Sequence, residues 1–217
     1  MDIYIDTANL EEIQNAIDMG IIDGCTTNPA IVAKEGCEFE TRMKEILKIV
    51  KGPVSIEVTT IDVDEMVKEA VEYATWGDNV VVKIPMDANG LKATKICKEK
   101  GIKTNVTCCM SSSQAVLAAK AGATYVSLFY GRIGDMGYDA IYEMSDAVDL
   151  FERSGFEAKI ISGSIRSVAD AMYSMRAGAH IITIPPAILN KMHVHARTKE
   201  TIQEFLDFWE DYKKKHK

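Results

Sequence analysis

Short β-branched runs alternate with longer amphipathic stretches from one end of the chain to the other, and that alternation leaves few folds open. The strand-like runs are Ile3-Tyr4-Ile5, Ile22 to Thr26, Val54 to Thr59, Val80 to Ile84, Ile102 to Thr107, Tyr125 to Phe129, Ala158 to Ile161 and Ile181 to Ile184. Helical patterns lie between them, among them Asn9 to Met19, Asp62 to Thr75 and the Ala-rich stretch Ala115 to Ala121. Asp64-Glu65 ahead of Met66, and Ser111-Ser112-Ser113 ahead of the Ala-rich stretch, predict helix starts. About eight strand–helix units share 217 residues, close to the minimum for a strand, a helix and two short loops each. Such a chain folds as a closed (β/α)₈ TIM barrel or as an open doubly wound sheet; the count favours closure, and no GxGxxG follows the first strand. The expected organisation is one barrel domain over residues 1–217, an α/β fold in which residues 197–217 form an extra C-terminal helix. Thr201 to Tyr212 carries Ile202, Phe205, Leu206, Phe208 and Trp209, so that helix is expected to dock on its own barrel or on a neighbouring subunit.

Composition narrows the function classes. The chain is 47% hydrophobic and 26% charged, ordinary for a globular domain. Its 25 Lys and Arg against 32 Asp and Glu give a net charge of −7, which repels nucleic-acid phosphates and anionic membrane surfaces, so neither is an expected partner. No apolar run approaches the ~20 residues of a membrane span. The opening MDIYIDTANL lacks the basic and apolar regions of a signal peptide, which predicts a cytoplasmic protein. Cys25, Cys37, Cys97, Cys108 and Cys109 are odd in number and lack CxxC spacing, so reduced, mostly buried thiols are expected rather than disulfides or zinc ligands. His193 and His195 have no carboxylate or cysteine cluster beside them, and no metal or cofactor is expected. The lysines 213, 214, 215 and 217 read as a solvated tail.

The sharpest local signal is Lys83 in Val80-Val81-Val82-Lys83-Ile84-Pro85. A lysine inside an apolar strand either snorkels out of its end or is held where burial favours the neutral amine, the form that attacks a carbonyl to make a Schiff base. The other strands also finish in polar groups: Asp6 on the first, Thr26, Thr27 and Asn28 on the second, Glu57 on the third, Asn105 and Thr107 on the fifth, Ser127 on the sixth. Any one of them can be a cap or turn residue, as Asp6-Thr7-Ala8-Asn9 illustrates. In a barrel all of them converge on one mouth, where the chemistry of that fold gathers. Gly131-Arg132 after the sixth strand and Ser162-Gly163-Ser164-Ile165-Arg166 after the seventh, expected to open a helix, form a candidate anion site; each arginine can equally be solvated.

These residues carry a resemblance. DTAN at Asp6, GCTTNPAIVAKEG at Gly24, VSIEVT at Val54, VVVKIPM at Val80, GIKTNVT at Gly101, QAVLAAKAGATYVS at Gln114 and SIR at Ser164 together resemble the small transaldolases, the compact subfamily that includes fructose-6-phosphate aldolase. The resemblance spans nearly the whole chain. It implies a (β/α)₈ class I enzyme with Lys83 as the Schiff-base lysine, Asp6 as the acid/base for C–C cleavage, and Glu57 and Thr107 holding a proton-shuttling water. It makes Asn28, Asn105 and Ser127 ligands of the dihydroxyacetone hydroxyls and Arg132, Ser164 and Arg166 ligands of the phosphate, with Thr27 and Phe129 also among the substrate-binding residues. Aldolase members resemble Gln where this chain has Glu57 and Tyr where it has Phe129, so both positions look like transaldolase.

The implied reaction moves a dihydroxyacetone unit from fructose 6-phosphate or sedoheptulose 7-phosphate to erythrose 4-phosphate or glyceraldehyde 3-phosphate, in the pentose phosphate pathway. The chain departs from the family at Ser127-Leu128-Phe129-Tyr130-Gly131-Arg132-Ile133-Gly134-Asp135, where SPFVGRLDD is usual, and at Thr107-Cys108-Cys109-Met110, where TLVF is usual. Alternatives left open are an aldolase releasing free dihydroxyacetone, a sulfosugar-specific transaldolase, and a non-catalytic sugar-phosphate-binding barrel. The resemblance further implies a homo-oligomer, a decamer, with the terminal helix exchanged between neighbours.

Overall fold

Eight parallel strands close on themselves in the sequential order β1 to β8, as the alternation predicts. The computed structural model describes residues 1–216. The elements are β1 (Asp2–Asp6), α1 (Leu10–Asp18), β2 (Gly24–Thr26), α2 (Pro29–Lys34), α3 (Phe39–Ile49), β3 (Val54–Glu57), α4 (Val63–Tyr73), β4 (Val80–Pro85), α5 (Ala88–Glu99) and β5 (Thr104–Cys109). They continue with α6 (Ser112–Ala121), β6 (Tyr125–Phe129), α7 (Tyr130–Asp135), α8 (Ala140–Ser154), β7 (Lys159–Gly163), α9 (Val168–Arg176), β8 (Ile181–Ile184), α10 (Pro186–Met192) and α11 (Ala196–Lys215). The fold is the predicted (β/α)₈ TIM barrel with an added C-terminal helix.

Capping chemistry sets the helix starts. Asn9 accepts from the amides of Glu11 and Glu12, and Ser111 accepts from Gln114, so both close the free N–H groups of a first turn. The cap of α4 is Asp62 rather than Asp64-Glu65, which sit inside its first turn and favour the positive end of the helix dipole. Between the helices and the outer sheet face lies the main core, including Ile5, Ile13, Met43, Ile56, Met66, Ile84, Leu128, Met144 and Phe151, all essentially inaccessible. Each such side chain contributes about 1.5–3 kcal/mol by leaving water.

Strand alternation divides the barrel interior into two ends. Near the strand starts Tyr4, Ile161 and Ile181 form a separate buried cluster with Tyr125 packed against it. Gly24 leaves room for the Tyr4 ring, since an added Cβ would stand 2.8 Å from it. Two residues further along the same strands the inward positions become Asp6, Ser127, Gly163 and Thr183. β5 and β7 end two residues beyond their apolar runs, which carries the inward pattern up to the mouth. β2 is shorter than its apolar run and begins at Gly24; before it, Asp23 meets Ile3 through its amide, which donates to the Ile3 carbonyl at 2.7 Å, and its carboxylate, which accepts from the Ile3 amide at 2.8 Å.

The predicted terminal helix forms as α11 and buries none of its residues: Phe205 is 67% exposed, Phe208 74% and Trp209 56%. Lys217 of the predicted 197–217 segment lies outside the described residues. Among the described residues no helix is long and apolar enough to cross a membrane.

Candidate active site

At the C-terminal ends of the strands opens a pocket of about 170 Å³, lined by Asp6, Thr26, Asn28, Lys83, Ser127, Phe129, Arg132, Gly163, Ser164 and Thr183. Nine of these ten were singled out from sequence, Thr26 among the polar strand ends and Gly163 within the candidate anion segment included; Thr183 was not.

Lys83 is 5% exposed, so its ammonium needs partners. It has two: Nζ lies 2.9 Å from Glu57 Oε2 on the neighbouring strand and donates to the Thr27 carbonyl at 3.1 Å. Glu57 and Lys83 are direct partners in the β3–β4 register, so the pair is fixed by backbone pairing rather than by long flexible arms. The lysine therefore has a carboxylate within reach to take its proton. Thr27 contributes through its backbone; its hydroxyl is turned to the Ser55 carbonyl at 2.8 Å.

Asp6 lines the same pocket. Burial pushes its carboxyl above the usual carboxylate range; Lys83 and the Thr26 hydroxyl pull it back down, and Glu57 adds to the rise. Thr26 donates to Asp6 Oδ1 at 2.7 Å and stands 2.6 Å from the Thr183 hydroxyl. A lysine amine and an aspartate carboxyl thus face one cavity, each with a polar partner.

Polar side chains beside them are cross-tied. Asn105, wholly buried, donates to Ser55 Oγ at 3.1 Å and accepts from Ser127 Oγ at 2.8 Å. Thr107 is also wholly buried, and its Oγ1 has no partner among the described residues, a state that costs about 1–3 kcal/mol unless another group satisfies it. Asn28 caps α2, its Oδ1 accepting from Ile31 at 3.0 Å while its side chain lines the pocket.

The candidate anion site brings α7 together with the segment after β7. Gly131 makes their approach possible: an added Cβ would stand 2.3 Å from the Ser164 carbonyl oxygen. Arg132 lies over the Phe129 ring at 5.8 Å and lines the pocket. Arg166 does not line it. Both of its terminal nitrogens bond the Asp135 carboxylate, at 2.5 and 2.6 Å, and this fork holds the Asp135 carboxyl below its usual range. Ser164 and Arg166 also precede the helix rather than open it, because the cap of α9 is Ser167.

Backbone strain gathers here too. Among the described residues the only non-glycine positions with positive φ are Cys108 (62°) and Ser164 (59°). Cys108 sits where the β5–β6 register shifts, and Ser164 lines the pocket; bulges and left-handed residues of this kind recur beside active sites. Cys37 is exposed, unlike the other four thiols.

Thr183 and Asp135 were missed from sequence. Thr183 stands in the apolar run Ile181-Ile182-Thr183-Ile184, the same signal that singles out Lys83. Asp135 is one aspartate among many, and only the folded loops reveal its partner 31 residues away.

Comparison with known proteins gives a consistent picture. The profile of the Transaldolase/Fructose-6-phosphate aldolase family matches residues 3–216. A protein of Desulforamulus reducens named "Probable transaldolase" is 50% identical over 209 residues, covering 96% of this chain and 97% of the relative. Proteins with the same name from Streptococcus equi subsp. zooepidemicus and Streptococcus pyogenes are each 47% identical over 214 residues, covering 99% of this chain and all of the relative.

Proposed function

The chain belongs to the transaldolase/fructose-6-phosphate aldolase family, and we propose from that premise that it is a class I transaldolase acting on sugar phosphates of the pentose phosphate pathway. The observation that carries this is Lys83: an amine buried in a barrel mouth, paired with Glu57 at 2.9 Å and facing Asp6 across a small polar pocket.

In this reading Lys83 passes a proton to Glu57, and its neutral Nζ attacks C2 of fructose 6-phosphate or sedoheptulose 7-phosphate. The carbinolamine loses water to give the Schiff base, with Glu57 and Thr107 holding the water that carries protons; the unpaired Thr107 hydroxyl supports that role. Asp6 takes the C4 hydroxyl proton as C3–C4 breaks, and the bonding pair moves into the Schiff base as an enamine. Glyceraldehyde 3-phosphate or erythrose 4-phosphate leaves. The enamine then adds to the aldehyde carbon of the acceptor, Asp6 returns its proton to the new hydroxyl, and hydrolysis frees Lys83.

Asn28, Asn105 and Ser127 hold the dihydroxyacetone hydroxyls, with Thr27 fixing the lysine through its carbonyl. Arg132 and Ser164 take the phosphate, while Arg166 stands at the rim on Asp135. Phe129 offers no proton to the enamine, which favours transfer over release. The direct test is turnover of fructose 6-phosphate with and without erythrose 4-phosphate: transaldolase activity requires the acceptor and yields sedoheptulose 7-phosphate, whereas acceptor-independent dihydroxyacetone release would identify an aldolase instead.

We also propose a cytoplasmic homo-oligomer, a decamer, in which α11 seats Phe205, Phe208 and Trp209 on a neighbouring copy. Gel filtration of a chain truncated before Thr201 should show a smaller assembly; an unchanged elution volume would remove α11 from the interface.

A further inference from the structure

We propose that Thr183 is a positioning residue: through Thr26 it fixes which oxygen of Asp6 is free to take the substrate proton. The inference rests on the acid/base role given to Asp6 above.

A hydroxyl has one proton to give and two lone pairs to accept with, and an ionised carboxylate can only accept. Thr26 Oγ1 lies 2.7 Å from Asp6 Oδ1 and 2.6 Å from Thr183 Oγ1. With Asp6 ionised, the single Thr26 proton goes to Oδ1, so the second bond can only be donated by Thr183. Thr26 is 2% and Thr183 6% exposed, which leaves little room for water to supply an alternative partner. The chain therefore has one direction, from Thr183 to Thr26 to Asp6 Oδ1. Oδ1 is occupied, and Oδ2 has no hydrogen bond among the described residues, leaving it to receive the proton.

Donation by Thr183 also polarises the Thr26 hydroxyl and strengthens its bond to the carboxylate. The three residues come from β8, β2 and β1, which meet only because the sheet closes: Thr183 pairs with Tyr4 and Thr26 with Asp6 on opposite edges of β1. The titratable groups that act on Asp6 or share its pocket are Glu57 on β3, Lys83 on β4, Arg132 beyond β6 and the Cys25 thiol on β2, and a change at Thr183 alters none of them.

The test needs no substrate. Protein carrying γ-carbon-labelled aspartate is titrated by NMR as wild type, Thr183→Val and Thr183→Ser, with the Asp6 signal assigned by its loss in Asp6→Asn. The expected result is a rise of about half a pH unit in the Asp6 midpoint for Thr183→Val, reversed in Thr183→Ser, with the acidic limb of kcat/KM moving alike. Should the valine variant not fold, Thr183→Cys, a weak donor, should shift the midpoint in the same direction. An unmoved midpoint in a folded valine or cysteine variant, or the same shift in the serine variant, would overturn the proposal. A shifted midpoint in a protein whose Lys83 forms no substrate adduct would instead overturn the transaldolase reading and leave the hydroxyl chain standing.

Discussion

The two ends of this barrel hold cavities of opposite character. The larger, about 570 Å³, lies where the strands begin and is lined by Lys98, Lys103, Glu157 and the left-handed glycines 101, 122 and 155. Its lysines are solvent-exposed, and at this end the barrel interior is closed by Tyr4, Ile161 and Ile181. The smaller, about 170 Å³, lies where the strands end and gathers a buried lysine, a part-buried aspartate and an arginine. Size follows how far loops splay apart; chemistry follows the inward residues that lie two places further along the strands. The difference also separates two kinds of left-handed residue. At the strand starts they are glycines that end helices, such as Gly122 and Gly155, where the conformation is nearly free. At the mouth, beside Gly36 and Gly137, Cys108 and Ser164 adopt it without being glycine, where each costs about 1–3 kcal/mol and must be held by its surroundings.

The contrast yields effects of decreasing size. Asp6→Asn should reduce turnover by about 10²–10⁴-fold, measured at saturating donor and acceptor. Because burial raises the Asp6 carboxyl above its usual range, the base form is lost as pH falls through that raised value, so the acidic limb of wild-type activity should lie above the ordinary carboxylate pKa of about 3.9. The same shift means that the folded state binds the proton more tightly than the unfolded one. The stability contribution is thus present below the unfolded pKa and lost as pH rises through the folded one, and Asp6→Asn should melt no lower than wild type at neutral pH. A variant that is both inactive and markedly less stable at neutral pH would make Asp6 structural.

Arg132→Leu should raise KM for the phosphorylated substrate by roughly 10- to 100-fold, the scale of one lost charge-assisted hydrogen bond, with less change in kcat. Arg166→Leu should do less, since Asp135 holds that guanidinium at the rim; equal effects would mean that the fork opens for substrate. At the opposite end, Gly122→Ala should lower stability by about 1–3 kcal/mol, because φ is 102° and an added Cβ would meet the Lys98 side chain, yet leave kcat within twofold. A large loss of activity in a folded Gly122→Ala protein would erase the distinction between the two ends.

Much of this contrast was legible in the sequence, for a physical reason. Lys83 stands out because charge inside an apolar strand demands a partner, and strand ends that finish in Asp6, Glu57, Thr107 and Ser127 can converge only in a closed barrel. Thr183 escaped because a threonine is an ordinary strand residue; its meaning depends on β8 closing against β1, 157 residues from Thr26. Arg166 was legible as a cation, but its removal from the pocket depends on Asp135, a pairing between the end of α7 and the segment after β7. Helix caps shifted for a smaller reason: Asp62 and Asp64 are both cap-competent, and backbone geometry chooses between them.

The central claim is that Lys83 is the nucleophile, and borohydride reduction in the presence of fructose 6-phosphate tests it most directly. Peptide mass spectrometry should find a reduced three-carbon dihydroxyacetone adduct on the peptide containing Lys83, absent from Lys83→Met and from samples without the sugar. A wild-type protein that shows no adduct on Lys83 under those conditions would contradict the account.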